Sequence, residues 1–86
     1  MLEVLFHDRA RKSLEKLDKK TRNRIILALE RARTSPEQDP NIAPLRGELS
    51  GQHRLRVGSY RVVIELDTAR GCLLVHTIGP RGDVYK

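Results

Sequence analysis

The chain has 86 residues, 17 Lys and Arg against 11 Asp and Glu, a formal charge of +6 and 3% aromatic residues. Its length predicts one domain, residues 1–86, around a modest aliphatic core, and its charge predicts attraction to nucleic acid, an acidic protein or an anionic membrane surface. Phe6, Tyr60 and Tyr85 are too few for the stacked-ring platforms of RRM-type or OB-type single-strand binders, so phosphate contact must carry any nucleic-acid affinity.

Residues 2–7 alternate, with Leu2, Val4 and Phe6 on one side, and read as a strand. No secretory leader is expected, because charge begins at Glu3, and no apolar run approaches a membrane span; the expected location is cytoplasmic. Asp8 reads as an N-cap, and Ala10, Leu14 and Leu17 at helical spacing predict a first helix over about residues 8–17. Asp18 reads as the cap of a second helix, in which Ile25, Ala28, Leu29 and Ala32 recur at i, i+3, i+4 and i+7, with Pro36 near its end. Across this half Arg9, Arg11, Lys12, Lys16, Lys19, Lys20, Arg22, Arg24, Arg31 and Arg33 outnumber Glu3, Asp8, Glu15, Asp18 and Glu30. This half is a positive surface in its own right, although a charged helical face also serves solubility.

Residues 35–51 carry Pro36, Pro40, Pro44, Gly47 and Gly51 among polar residues and read as a surface connector, anchored by Pro44 and Leu45. Strands follow over about residues 52–57 and 60–67, then a turn at Thr68-Ala69-Arg70-Gly71 and an apolar strand from Cys72 to Ile78 that suits the middle of a sheet. Gly79-Pro80 ends it, leaving Arg81-Gly82-Asp83-Val84-Tyr85-Lys86 as a tail. The order predicts an α+β fold: an N-terminal strand, a helical hairpin, then a three-stranded antiparallel meander, in a curled sheet of about four strands. The lone Cys72 reads as a buried, inert thiol that forms no internal disulfide. His7, His53 and His76 are too scattered for zinc spacing, so no metal or other cofactor is expected.

The segment His53-Arg54-Leu55-Arg56-Val57-Gly58-Ser59-Tyr60-Arg61-Val62-Val63-Ile64 carries the strongest local signal, alternation on both sides of a Gly-Ser turn. With Gly58 and Ser59 as the loop, Val57 faces Tyr60 and Arg56 faces Arg61. Leu55, Val57, Tyr60, Val62, Ile64 and Leu66 then point to the core, and Arg54, Arg56 and Arg61 to the other face. Like charges directly opposite destabilise a ladder, which favours an anion between them; a phosphate fits the guanidinium fork. The same arginines also suit a solvated strand face that discourages edge-to-edge aggregation.

Three blocks, Pro44-Leu45-Arg46-Gly47-Glu48-Leu49, Leu55-Arg56-Val57-Gly58-Ser59-Tyr60-Arg61-Val62-Val63 and Arg81-Gly82-Asp83-Val84-Tyr85, resemble the RelE/ParE superfamily of toxin–antitoxin modules over essentially the whole chain. The C-terminal Arg and Tyr make the likeness closer to the RelE branch; ParE-type members act on DNA gyrase and generally lack that set. The resemblance implies a toxin neutralised by a cognate antitoxin in a hetero-oligomer. It further implies a metal-independent endoribonuclease that cuts messenger RNA in the ribosomal A site by attack of the ribose 2′-hydroxyl, with ribosomal RNA as a further partner. Carried over, catalysis falls on Arg61, Arg81 and Tyr85, and phosphate binding on Arg54 and Arg56. Members often have lysine where this chain has Arg54; arginine keeps its proton, so the base role shifts to Tyr85 or to His53, a possible acid or base that alternation turns away from Arg54 and Arg56. The alternatives are a gyrase inhibitor without hydrolytic chemistry and an inactive remnant that still binds antitoxin.

Overall fold

A computed structural model describes residues 1–45 and 51–80. Leu2–Phe6 alternates as expected, and β1 spans Glu3–Phe6. Helix α1 covers Asp8–Lys16, but its N-cap is His7, whose Nδ1 accepts the Arg9 N–H at 3.2 Å. The backbone N–H of His7 still bonds to the Val75 carbonyl, so the strand hands over to the helix within one residue. Asp8 falls in the first turn instead, where a carboxylate is favoured by the unpaired N–H groups.

Helix α2 runs Lys19–Thr34 with Asp18 as its N-cap, and the Asp18 carboxylate accepts the Thr21 N–H at 3.1 Å. Hydrogen bonding by the Thr21 side chain, then by its backbone, holds the Asp18 carboxyl below its ordinary 3.8. Ile25, Ala28, Leu29 and Ala32 are buried, as the periodicity requires. A 3-10 turn over Pro36–Gln38 follows.

The connector also contains a strand. β2, Ile42–Pro44, pairs antiparallel with β3, His53–Val57, matching Ile42 to Leu55 and Pro44 to His53. β2 is an outer strand, where a proline lacking an N–H is tolerated; for that reason its composition reads as loop. Ile42 packs against the core, whereas Pro44 is exposed, so Ile42 is the anchor. β4, Tyr60–Asp67, and β5, Cys72–Pro80, complete an open sheet of five strands among the described residues, ordered β1-β5-β4-β3-β2. β3, β4 and β5 form the expected meander, and β1 joins β5 in parallel.

Gly79-Pro80 does not end β5: Gly79 pairs with Arg61 and Pro80 with Tyr60. β1 pairs only with Cys72 to Val75, so the far end of β5 has an open side on which proline forfeits no ladder bond. Cys72 likewise departs from expectation. It begins β5, half-buried, with its Sγ 3.6 Å from the Arg70 carbonyl oxygen.

One face of the sheet packs against both helices. Leu55, Val62, Ile64, Leu73, Val75 and Ile78 meet Ala10, Ile25, Ala28, Leu29 and Ala32 in a single cluster. Each large member buried there contributes about 1.5–3 kcal/mol. Two reciprocal bonds tie β1 to the end of α2: Leu2 N–H to the Arg33 carbonyl at 2.9 Å, and Arg33 Nε to the Leu2 carbonyl at 2.7 Å. None of the described helices is long and apolar enough to cross a membrane.

Candidate functional site

The β3–β4 register pairs Val57 with Tyr60, Arg56 with Arg61, and Arg54 with Val63, as the Gly-Ser turn requires. Gly58 has φ +59° while Ser59 stays outside the positive region, the pattern of a turn with glycine at its first central position. Leu55, Val62 and Ile64 lie in the helix-side core, with Val57, Tyr60 and Leu66 packed against it. Alternation therefore puts Arg54, Arg56 and Arg61 together on the other face. Side chains directly opposite have Cβ atoms about 4.5–5.5 Å apart, so Arg56 and Arg61 are held as close as a ladder permits.

Their environment differs from that of the paired arginines. Arg11, Arg33 and Arg70 each meet a carboxylate within salt-bridge distance, and Arg9 donates to a carbonyl. Arg54, Arg56 and Arg61 have no such partner among the described residues. Among the described residues the Nε of Arg54 is moreover buried with no hydrogen-bond partner. A buried donor in this state costs about 1–3 kcal/mol.

The same face turns acidic toward the other end of β4. Glu65 shares parity with Arg61 four residues away, about 13 Å along the strand, and Asp67 follows at the strand's end. His76 belongs to this end as well. Val63 pairs with Thr77 and Ile64 with Val75, leaving His76 as the extra residue of a β-bulge. Its Nε2 lies 2.9 Å from Glu65 Oε1, and its carbonyl accepts Arg9 Nε at 3.0 Å. His76 follows buried Val75 and so faces away from the core, toward Glu65. Positive charge is thus at the turn end of the face and negative charge at the other.

His53 is not brought to this face. It pairs with Ile64 and Pro44, its parity is that of Leu55, and its Nδ1 is buried without a partner. Arg81 and Tyr85 lie outside the described residues, as do Arg46 to Ser50. What the structure does fix is where the described chain stops: Pro80 stands opposite Tyr60, beside the turn and one position past the Arg61–Gly79 pair. Among the described residues no group of three or more His, Cys, Asp or Glu side chains could hold a metal ion.

Solved structures with this architecture include the toxin–antitoxin complex RelBE2 of Mycobacterium tuberculosis, 26% identical with a TM-score of 0.82 over 95% of this chain and 93% of that one. The isolated RelE toxin of E. coli matches at 25% identity and a TM-score of 0.79, over 99% and 92% of the two chains. A YoeB/ParE toxin from Agrobacterium tumefaciens, 16% identical with a TM-score of 0.81 over 93% and 99%, shares the fold. No curated protein matches significantly. A family model described as the ParE toxin of type II toxin–antitoxin systems, parDE, matches residues 4–85. A match of that extent, on this strand order and hairpin register, makes the chain a member of the ParE toxin family of type II toxin–antitoxin systems, built on the RelE-like fold.

Proposed function

We propose that the chain is a ribosome-dependent endoribonuclease that cuts messenger RNA in the A site, and that a cognate antitoxin neutralises it. The observation that carries this reading is the set of arginines on one sheet face, with Arg54 Nε buried and awaiting an acceptor. The ribose 2′-hydroxyl loses its proton to a base, its oxygen bonds to phosphorus, and the bond from phosphorus to the 5′-oxygen breaks as that oxygen gains a proton. The products are a 2′,3′-cyclic phosphate and a 5′-hydroxyl.

Charge builds on the phosphate oxygens during this exchange, and fixed guanidinium donors stabilise it most where it is greatest. Arg56 and Arg61 take that role, while Arg54 grips the phosphate in the ground state. Arg81 serves the departing 5′-oxygen, and the described chain that precedes it ends at Pro80, opposite Tyr60 at the arginine end. Tyr85 is the candidate base. It acts as the base if surrounding guanidinium charge lowers its pKa from about 10. His53, on the helix side, takes no part.

The antitoxin partner follows from the family and from the complexes formed by its structural relatives, including RelBE2 of M. tuberculosis and the archaeal RelE–RelB pair of Pyrococcus horikoshii. The ParE name of the matched family favours a second reading, a gyrase inhibitor with no hydrolytic step. Two assays on one preparation separate them. Purified chain added to translating ribosomes cuts a defined message and leaves ribosome-free supercoiling by gyrase untouched; intact message with inhibited supercoiling would select the second reading.

A further inference from the structure

Outside the arginine face, α2 and the hairpin enclose a cleft of about 260 Å³ lined by Arg24, Leu27, Arg31, Asn41, Arg56 and Gly58. No carboxylate lines it. Arg24 and Arg31 are seven residues apart on α2, hence on one helical face with Leu27 between them. The Arg24 guanidinium lies over the turn, its Nη2 2.8 Å from where a Cβ on Gly58 would stand. The glycine answers the positive φ of the turn, and the exposed arginine is free to adjust to a ligand. Neither Arg24 nor Arg31 has an ion pair or side-chain hydrogen bond among the described residues, and both are exposed.

Arg56 adjoins both sites: its side chain stands beside Arg61 on the sheet face, and the residue borders the cleft through the strand that bonds to Asn41, so the two positive surfaces are neighbours across β3. We infer that the cleft is a second phosphate subsite, which takes the backbone of the same polynucleotide strand that lies on the arginine face and follows it around the hairpin from Arg61 through Arg56 to Arg24 and Arg31. Leu27, 62% exposed between the two helical arginines, offers apolar surface to a sugar or base edge there. The inference rests on the proposed arginine face and extends it by at least one flanking phosphate.

Fluorescence anisotropy with uncleavable 2′-O-methyl RNA tests it on the full chain, using a trinucleotide and a strand about three times as long. The double substitution Arg24→Gln/Arg31→Gln weakens the longer strand about tenfold, flattens its log K against log salt slope by about 1.4, and leaves the trinucleotide unchanged. Arg24→Lys/Arg31→Lys keeps most of the slope, which shows that charge rather than folding is at issue. Equal losses for both lengths, or none for either, overturn the subsite while the arginine face stands. So does a loss seen only with an acidic peptide, which assigns the cleft to a protein partner. Failure of the unsubstituted chain to bind either strand overturns the arginine face and the subsite together.

Discussion

Arg56 and Arg61 are forced side by side by a two-residue turn, and an anion between them would relieve the like-charge repulsion that results. If that anion is the reacting phosphate, the two guanidinium groups matter more in the transition state than in the ground state. Arg61→Ala therefore lowers the rate of message cleavage about 100- to 1,000-fold with little change in ribosome affinity, read from single-turnover kinetics beside a binding titration. Tyr85→Phe removes the phenolic proton carrier and keeps the ring. A loss of about 100-fold or more in rate, together with a flattened alkaline arm of the pH–rate profile, is the outcome expected of a base. A ring that only stacks on a substrate base would leave the profile unmoved. At this scale the hairpin arginines were legible from alternation, which fixes parity once the turn is located. The contact of His76 with Glu65 was not legible, since a cross-strand partner emerges only from the register.

Among the elements, the hairpin's hold on the core decides whether the arginines stay in register. Leu55 lies between Arg54 and Arg56 on β3 and is 1% exposed, so Leu55→Ala costs about 2–5 kcal/mol in denaturant unfolding and removes cleavage with it. Helix α2 offers a test that involves no substrate. The folded state holds the Asp18 carboxyl below 3.8, so its capping contribution is full above the unfolded value and fades as pH falls through the folded one. The stability gap between the unsubstituted chain and Asp18→Ala is accordingly constant from neutral pH to about 5 and closes below about 4, as thermal melts across pH will show. Both helices and the meander were readable from periodicity, and α2 also from its Asp18 cap, whereas the cap of α1 is His7 rather than Asp8. β2 and the end of β5 were missed for one shared reason: proline reads as a breaker, yet at an outer strand or past the last ladder partner it forfeits nothing.

Taken whole, a +6 domain sets arginines without ion pairs among the described residues on the sheet face and beside the α2 cleft, adjoining at the hairpin. Binding to ribosomes consequently weakens steeply with salt, and the slope falls by about 0.7–0.9 for each phosphate-contacting arginine removed. Family and fold follow from the pattern of apolar and charged residues, because strand order and face are set by burial. The target molecule does not, because one positive face serves RNA and protein partners alike. The chemistry of the cut ends decides between them. A cleavage map of a defined message on stalled ribosomes, with the new termini identified, is predicted to show A-site cuts bearing 2′,3′-cyclic phosphate and 5′-hydroxyl groups. An uncut message at stoichiometric toxin, or cuts bearing 3′-hydroxyl ends, would contradict the account.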